Sequence, residues 1–192
     1  MPVLILGLVI FLAAHSVRIF ADGWRARMVA RIGLKPWKAV YALVSLIGFV
    51  LLVVGFGMAR HTPVLLYAPP LALKHLNALF VLVALVLFFA SHAPPNHFKA
   101  WLHHPMAAGV AVWAAGHLMA TGFLHDVVLF GAFLVWALAD FAAGRRRDRV
   151  ENIRYAAGTA KGDVGAIVIG VIVWALFAFW LHRWLIGVNP MV

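Results

Sequence analysis

Six apolar runs, separated by short polar or proline-bearing seams, set the pattern of this chain: residues 2–20, 39–58, 73–90, 105–121, 123–143 and 164–185. At about 1.5 Å per residue each can cross roughly 30 Å of hydrocarbon, although the fourth is short and gains length if it begins at Trp101. The seams carry Leu34-Lys35-Pro36, Ala68-Pro69-Pro70, Ala93-Pro94-Pro95 and His104-Pro105. Proline suits the first turn of a helix, where its missing N–H has no partner to lose, so Pro105 is the expected start of the fourth helix. The pattern predicts an all-α polytopic membrane helix bundle of about six transmembrane helices.

Composition agrees with lipid as the solvent. Apolar residues make up 65% of the chain and charged residues 11%, too few to give a soluble domain of 192 residues a polar surface. Six spans and their loops use up the length, so residues 1–192 read as one transmembrane domain. The first run lacks a basic segment before it and a small-x-small cleavage site after it, and is expected to be a retained helix rather than a signal peptide. There is no cysteine, which excludes disulfides, thiolate nucleophiles and cysteine-ligated metals; any metal must be held by histidine, methionine or carboxylate.

A net charge of +10 would suggest nucleic acid in a soluble protein, but here the basic residues sit between apolar runs, so no nucleic-acid partner is expected. Thirteen of the 16 Lys and Arg fall within residues 18–38, at Lys99 or within 145–161, and only Arg60, Lys74 and Arg183 fall on the opposite side. The positive-inside rule then puts the loops after helices one, three and five in the cytoplasm and both termini on the periplasmic side of a bacterial inner (cytoplasmic) membrane. The Arg145-Arg146-Arg147-Asp148-Arg149 run reads as a solvated orientation signal that also meets anionic membrane lipid. In the fourth run Ala107, Ala111 and Ala115, and Gly116 with Ala120, recur every four positions and predict a close helix contact.

Ten histidines and six acids are the titratable candidates. Most acids are assigned to loops; Asp140 alone reads as intramembrane and is expected to pair with Arg18, Arg145 or an inner histidine. His15, His92, His97, His103 and His104 sort to the cytoplasmic half, and His61, His75, His117, His125 and His182 to the other; His97 and His125 are placed in loops. His15 and His117 lie deepest within apolar helices. A neutral imidazole there needs partners, which a Ser, a Thr, a backbone carbonyl or another histidine can supply.

Alternatively, two such histidines on different helices can ligate haem b from opposite faces. His104 and His117 lie about 20 Å apart along one helix axis and cannot share an iron, so the partner must come from another helix. Ala114 would leave room for a flat macrocycle beside His117, Trp113 would pack on it, and Arg18, one turn from His15, would meet a propionate. His15 and His117 are offset by about 10 Å in depth, which a tilted haem absorbs; for an upright haem, His75 is the better partner of His117. His104, ahead of Pro105, is suited to hold a propionate or the first turn of its helix.

The segment His104-Pro105-Met106-Ala107-Ala108-Gly109 through Trp113-Ala114-Ala115-Gly116-His117-Leu118, with Ala13-Ala14-His15-Ser16 upstream, resembles the NnrU family, which includes the plant 15-cis-ζ-carotene isomerases. His15, His61, His104 and His117 stand at matching places, and the similarity spans nearly the whole bundle. The resemblance implies haem b with axial ligands at His15 and His117 and, in the carotenoid branch, a redox-dependent cis to trans isomerisation. Bacterial NnrU proteins are associated instead with denitrification and nitric oxide metabolism. The chain departs from the isomerases at Ala114, where they carry a cysteine proposed as an alternative ligand.

Three functional readings follow. One is a haem-dependent isomerase or redox enzyme acting on a hydrophobic polyene or quinone-like substrate with an electron donor. The others are a haem-binding sensor or accessory factor in nitrogen-oxide metabolism, and a cofactor-free membrane protein whose histidines are structural. No residue is recognisable as a catalytic acid, base or nucleophile.

Overall fold

The computed structural model describes residues 1–190 and is helical almost throughout. Helix α1 spans Pro2–Phe20, α2 Asp22–Ile32, α3 Leu34–Arg60, α4 Leu71–His92, α5 His97–Leu102, α6 Pro105–Ala120, α7 Leu124–Glu151 and α8 Ala160–Leu176. A π-helical turn, Phe177–Leu181, continues α8 into α9, His182–Ile186. Five helices, Pro2–Phe20, Leu34–Arg60, Leu71–His92, Leu124–Glu151 and Ala160–Ile186, are long and apolar enough to cross a membrane, and α6 is a shorter apolar helix. All six apolar runs are therefore helices.

The start of α6 is at Pro105 and not at Trp101, because His103 takes φ +64° and turns the chain between α5 and α6. Helix α2 was not anticipated. It carries Trp24, Met28, Val29 and Ile32 along one side and Arg25, Arg27 and Arg31 elsewhere, the composition of a helix lying in the membrane interface. Trp24 meets Trp37 of α3 edge to face at 5.6 Å, as aromatic residues do at that depth.

Lipid tails are as apolar as leucine, so helices in a bilayer associate through close packing rather than through the hydrophobic effect. Two helix pairs here use glycine for that purpose. Gly48 and Gly55, two turns apart on α3, sit against the backbone of α1 at Phe11 and Leu4, and Gly7 of α1 returns the contact at Leu52. A Cβ on Gly48 would lie 2.7 Å from the amide nitrogen of Phe11, well inside contact distance. Gly109 and Gly116, with the same spacing on α6, approach α4; a Cβ on Gly109 would lie 2.8 Å from the Ala84 carbonyl oxygen. The close contact predicted for this helix is present: Gly116, one of the residues expected to make it, approaches α4 together with Gly109, one turn before Trp113.

Helix α8 joins the second pair through Gly170, which faces Val86, and through the Trp174 indole N–H, which donates to the Ala78 carbonyl at 2.8 Å. Helix α7 lies between the two groups, packing on α1 and on α6. At the end away from the arginine run, Leu66 N–H donates to Gly122 O at 2.8 Å, Leu124 N–H donates to Val64 O at 2.9 Å, and the Tyr67 hydroxyl donates to the Leu118 carbonyl.

Gly48→Leu and Gly109→Leu are each expected to lower stability in detergent by about 1–3 kcal/mol or more, because the added side chain meets backbone that cannot yield. Gly57→Leu and Gly165→Leu, where a Cβ meets nothing within 4 Å, are the controls and should unfold near the wild-type temperature. Thermal unfolding followed by tryptophan fluorescence checks both pairs.

Candidate functional site

His15 and His117 stand on opposite flanks of α7, each held in the same way. The His15 Nδ1 bonds the Phe11 carbonyl oxygen, one turn back, at 2.7 Å, and the His117 Nδ1 bonds that of Trp113 at 2.9 Å. A backbone carbonyl fixes the tautomer with the proton on Nδ1 and leaves Nε2, with its lone pair, as the atom able to ligate. Second-shell bonds of this kind commonly orient histidine ligands. Both rings are also clamped: His15 stacks on Phe11 at 4.2 Å with Trp136 edge-on at 6.0 Å, and His117 stacks on Phe130 at 4.4 Å.

The two rings are not opposed. Between them run Phe11 to Phe133 at 5.9 Å, Phe133 to Trp113 at 5.6 Å and Trp113 to His117 at 5.2 Å. Along α7 the rings sit level with Trp136 and Phe130, an axial offset of about 9 Å. That agrees with the offset expected from the sequence. The room expected beside Ala114 is taken: Ala114 is fully buried in the core with Leu4, Leu8, Leu52, Leu129 and Phe130.

For a haem b group the donor chemistry fits. Two imidazoles with fixed Nδ1 and available Nε2 face an apolar interior, and beside His15 the Trp136 indole N–H is buried without an acceptor. Space for the macrocycle requires Phe133 and Trp113 to turn out of the interval they fill. Arg18 is exposed at the end of α1, and its carbonyl accepts from Arg147 at 3.3 Å. His75, the alternative partner of His117, is exposed on α4.

His104 ties down the start of α6. Its Nε2 bonds the Asp148 carboxylate at 2.9 Å, and its ring covers Gly144, joining the start of α6 to the end of α7. The same carboxylate bonds His103 Nδ1 at 3.1 Å and accepts from the Tyr155 hydroxyl at 3.1 Å. Burial, reinforced by the bond to Asp148, holds the Tyr155 phenol above its usual range, so it remains a donor at physiological pH. The imidazoles converge on one oxygen and not on a common vacant point, and among the described residues no group of three His, Asp or Glu side chains is arranged to hold a metal ion.

Nearby, His97 Nδ1 bonds Asp163 at 2.6 Å, and the fully buried Asn96 donates to Ala90 O at 2.9 Å and to Pro94 O at 2.8 Å. Thr159 donates to Pro95 O at 2.6 Å, so the loops before α5 and α8 are pinned together.

Two further expectations change. His125 is not in a loop: it is buried in the first turn of α7, against Phe56 at 5.2 Å and beside buried Asp126, its Nε2 3.7 Å from that carboxylate. Helix α7 starts at Leu124 and carries both residues inward. Among the described residues Asp140 forms no ion pair within 4.0 Å, so the partnership with Arg18, Arg145 or an inner histidine is absent. The structural acids are instead Asp126, Asp148 and Asp163.

Fold and site define a multi-pass helical membrane protein with an aromatic interior flanked by two oriented histidines. The family described as NnrU protein matches residues 3–190, and the chain belongs to the NnrU family. No curated protein and no solved structure shows significant similarity to it.

Asp148→Ala removes the shared acceptor of His103, His104 and Tyr155, whose donors lie in a region only 11% exposed at the carboxylate. The expected loss is about 1–3 kcal/mol for the partners left unpaired, with Tyr155→Phe costing less because it removes donor and demand together. Denaturation midpoints of the two variants in detergent check the order.

Proposed function

We propose that this NnrU protein binds haem b inside the membrane, where His15 and His117 would hold its iron. The observation carrying the reading is the matched orientation of the two imidazoles, each with Nδ1 bonded to the carbonyl one turn back and Nε2 left for iron. Bound haem would supply one-electron redox chemistry. The chain's own residues do the rest. Phe11 and Phe130 fix the two imidazoles, Trp113 and Phe133 would turn aside to admit the macrocycle, and the exposed Arg18 offers a guanidinium to a propionate. His104, engaged by Asp148, acts on the site by positioning α6.

The activity that suits this interior is a redox-dependent step on a hydrophobic polyene or quinone-like substrate entering from the bilayer, with an electron donor. An exchange of ligands through a thiol is closed to it, since the chain has no cysteine and carries Ala114 beside His117. A cofactor-free role is the second reading, favoured by the rings that fill the interval between the histidines. Participation in nitrogen-oxide metabolism as a sensor or accessory factor remains a variant of the haem reading, distinguished by the absence of turnover.

The proposal includes six spans with both termini periplasmic, supported by the distribution of 13 basic residues against three and by the packing of α6 along α4. Single cysteines introduced at Arg146 and at His61 test it. The first is expected to resist an impermeant thiol reagent added to intact cells, and the second to react.

Purified protein is expected to be red, with a Soret band that His15→Ala and His117→Ala each reduce severely and His97→Ala leaves near wild type. Colourless protein from haem-replete cells favours the cofactor-free reading, and a spectrum lost in His75→Ala but kept in His15→Ala reassigns the ligand.

A further inference from the structure

Beyond the histidines, the end of α7 forms a second concave site. Arg145, Asp148 and Arg149 of α7, Asn152, Ile153 and Arg154 after it, and His103 before α6 enclose a cavity of about 440 Å³. Three guanidinium groups border it, and among the described residues none of the three has a carboxylate within 4.0 Å. The one acid in the wall, Asp148, is already engaged by His103, His104 and Tyr155 and forms no ion pair with these arginines within 4.0 Å, so three guanidinium groups stand beside a single shared carboxylate. The result is a cationic cleft without its counter-ion.

The walls are held firmly. His103 and Asn152 are the only described residues other than glycine with positive φ, +64° and +52°, and both line this cleft. The His103 ring packs on Tyr155 at 4.2 Å, and Ile153 N–H donates to the Asp148 carbonyl at 2.9 Å, closing the end of α7. Arginine's planar fork matches the oxygens of a phosphate, and Ile153 gives the cleft an apolar edge on which a glycerol backbone can rest. The apolar run of α7 ends at Ala142 and Ala143, less than one turn before Arg145, which sets the cleft at headgroup depth.

We infer that this cleft is a binding site for a phosphate ester, the headgroup of an anionic phospholipid being the source best matched by its depth and apolar edge. Arg149 and Arg154, from helix and loop, grip the phosphate from two directions, and Arg145 completes the charge. The rest of the basic surface differs. Arg27 and Arg31 lie exposed along α2 and serve as an internal comparison.

The test uses the full chain in detergent, titrated with dihexanoyl phosphatidylglycerol, dihexanoyl phosphatidylcholine or inorganic phosphate, binding being read from the shift in thermal unfolding. Saturable stabilisation by phosphatidylglycerol is expected, with Arg149→Gln/Arg154→Gln weakening it by about tenfold or more, as loss of charge-assisted bonds implies. Arg27→Gln/Arg31→Gln should bind as wild type, and Arg149→Lys/Arg154→Lys should recover part of the loss, which separates lost recognition from lost folding. Inorganic phosphate binding as tightly as phosphatidylglycerol, with the same loss in the cleft variant, supports the site and assigns it to a free phosphate. Equal losses in the two glutamine variants, or phosphatidylcholine binding as well as phosphatidylglycerol, overturns it.

Discussion

Close backbone approach between helices is the constraint on which the rest of this structure depends. In a bilayer the apolar faces of α1, α3, α4 and α6 gain nothing by leaving lipid for one another, and the difference is made by contact density. Gly48 and Gly55 let α3 reach the backbone of α1, and Gly109 and Gly116 let α6 reach α4. Once those pairs form, α7 fits between them, where the side of α1 that carries Phe11 and His15 and the side of α6 that carries Trp113 and His117 both meet it. On α1 the same side serves both contacts, since Phe11 lies against Gly48 and also meets Phe133, and His15 lies near Tyr41 of α3 as well as Trp136 of α7; the helix contacts and the orientation of the histidines are therefore set together.

That arrangement explains why the two imidazoles share a helix but not a plane. Each is referenced to α7 through a different ring, Trp136 for His15 and Phe130 for His117, nearly two turns apart. Phe133, midway, touches both Phe11 and Trp113, so one side chain sets the width of the interval. Any ligand that bridges the histidines must displace this ring first, and the energetic cost of doing so is repaid only by bonds to both Nε2 atoms. One histidine alone has no such return, which makes the pair a unit in any binding event.

Much of the bundle was legible in the sequence, because run length and hydropathy are local properties. Five of the runs lie in helices long and apolar enough to span, the fourth forms the shorter α6, and the axial offset of His15 and His117 needs only the rise per residue; the seam Leu34-Lys35-Pro36 instead forms the first turn of α3. What could not be read was pairing. In α6 the contact at Gly116 was expected, yet Gly109 shares the approach to α4, since which side of a helix meets a neighbour depends on the neighbour. The same limit applies to His125 and Asp126: adjacent to Gly122 and Phe123 they resemble a loop, but the bridge between Leu65 and Phe123 ends the turn and sends them inward. Helix α2 had a readable signal in Asp22 at its first turn and the apolar spacing of Trp24, Met28 and Ile32, masked by its arginines.

Asp148 shows how a charge inside a basic run can have a structural purpose that composition hides. In sequence it interrupts five consecutive cationic or acidic positions and reads as part of an orientation signal. In space its carboxylate is taken up by His103, His104 and Tyr155, at a turn whose His103 sits at positive φ and whose Pro105 begins α6. An arginine at this position would repel its neighbours and leave His103, His104 and Tyr155 without an acceptor. A carboxylate here removes one negative charge from the competition for Arg145 and Arg149 while fixing the turn. The contact of α6 with α7 and the excess positive charge of the cleft therefore meet in one group, a single aspartate whose hydrogen-bonding capacity is taken up by the turn before α6.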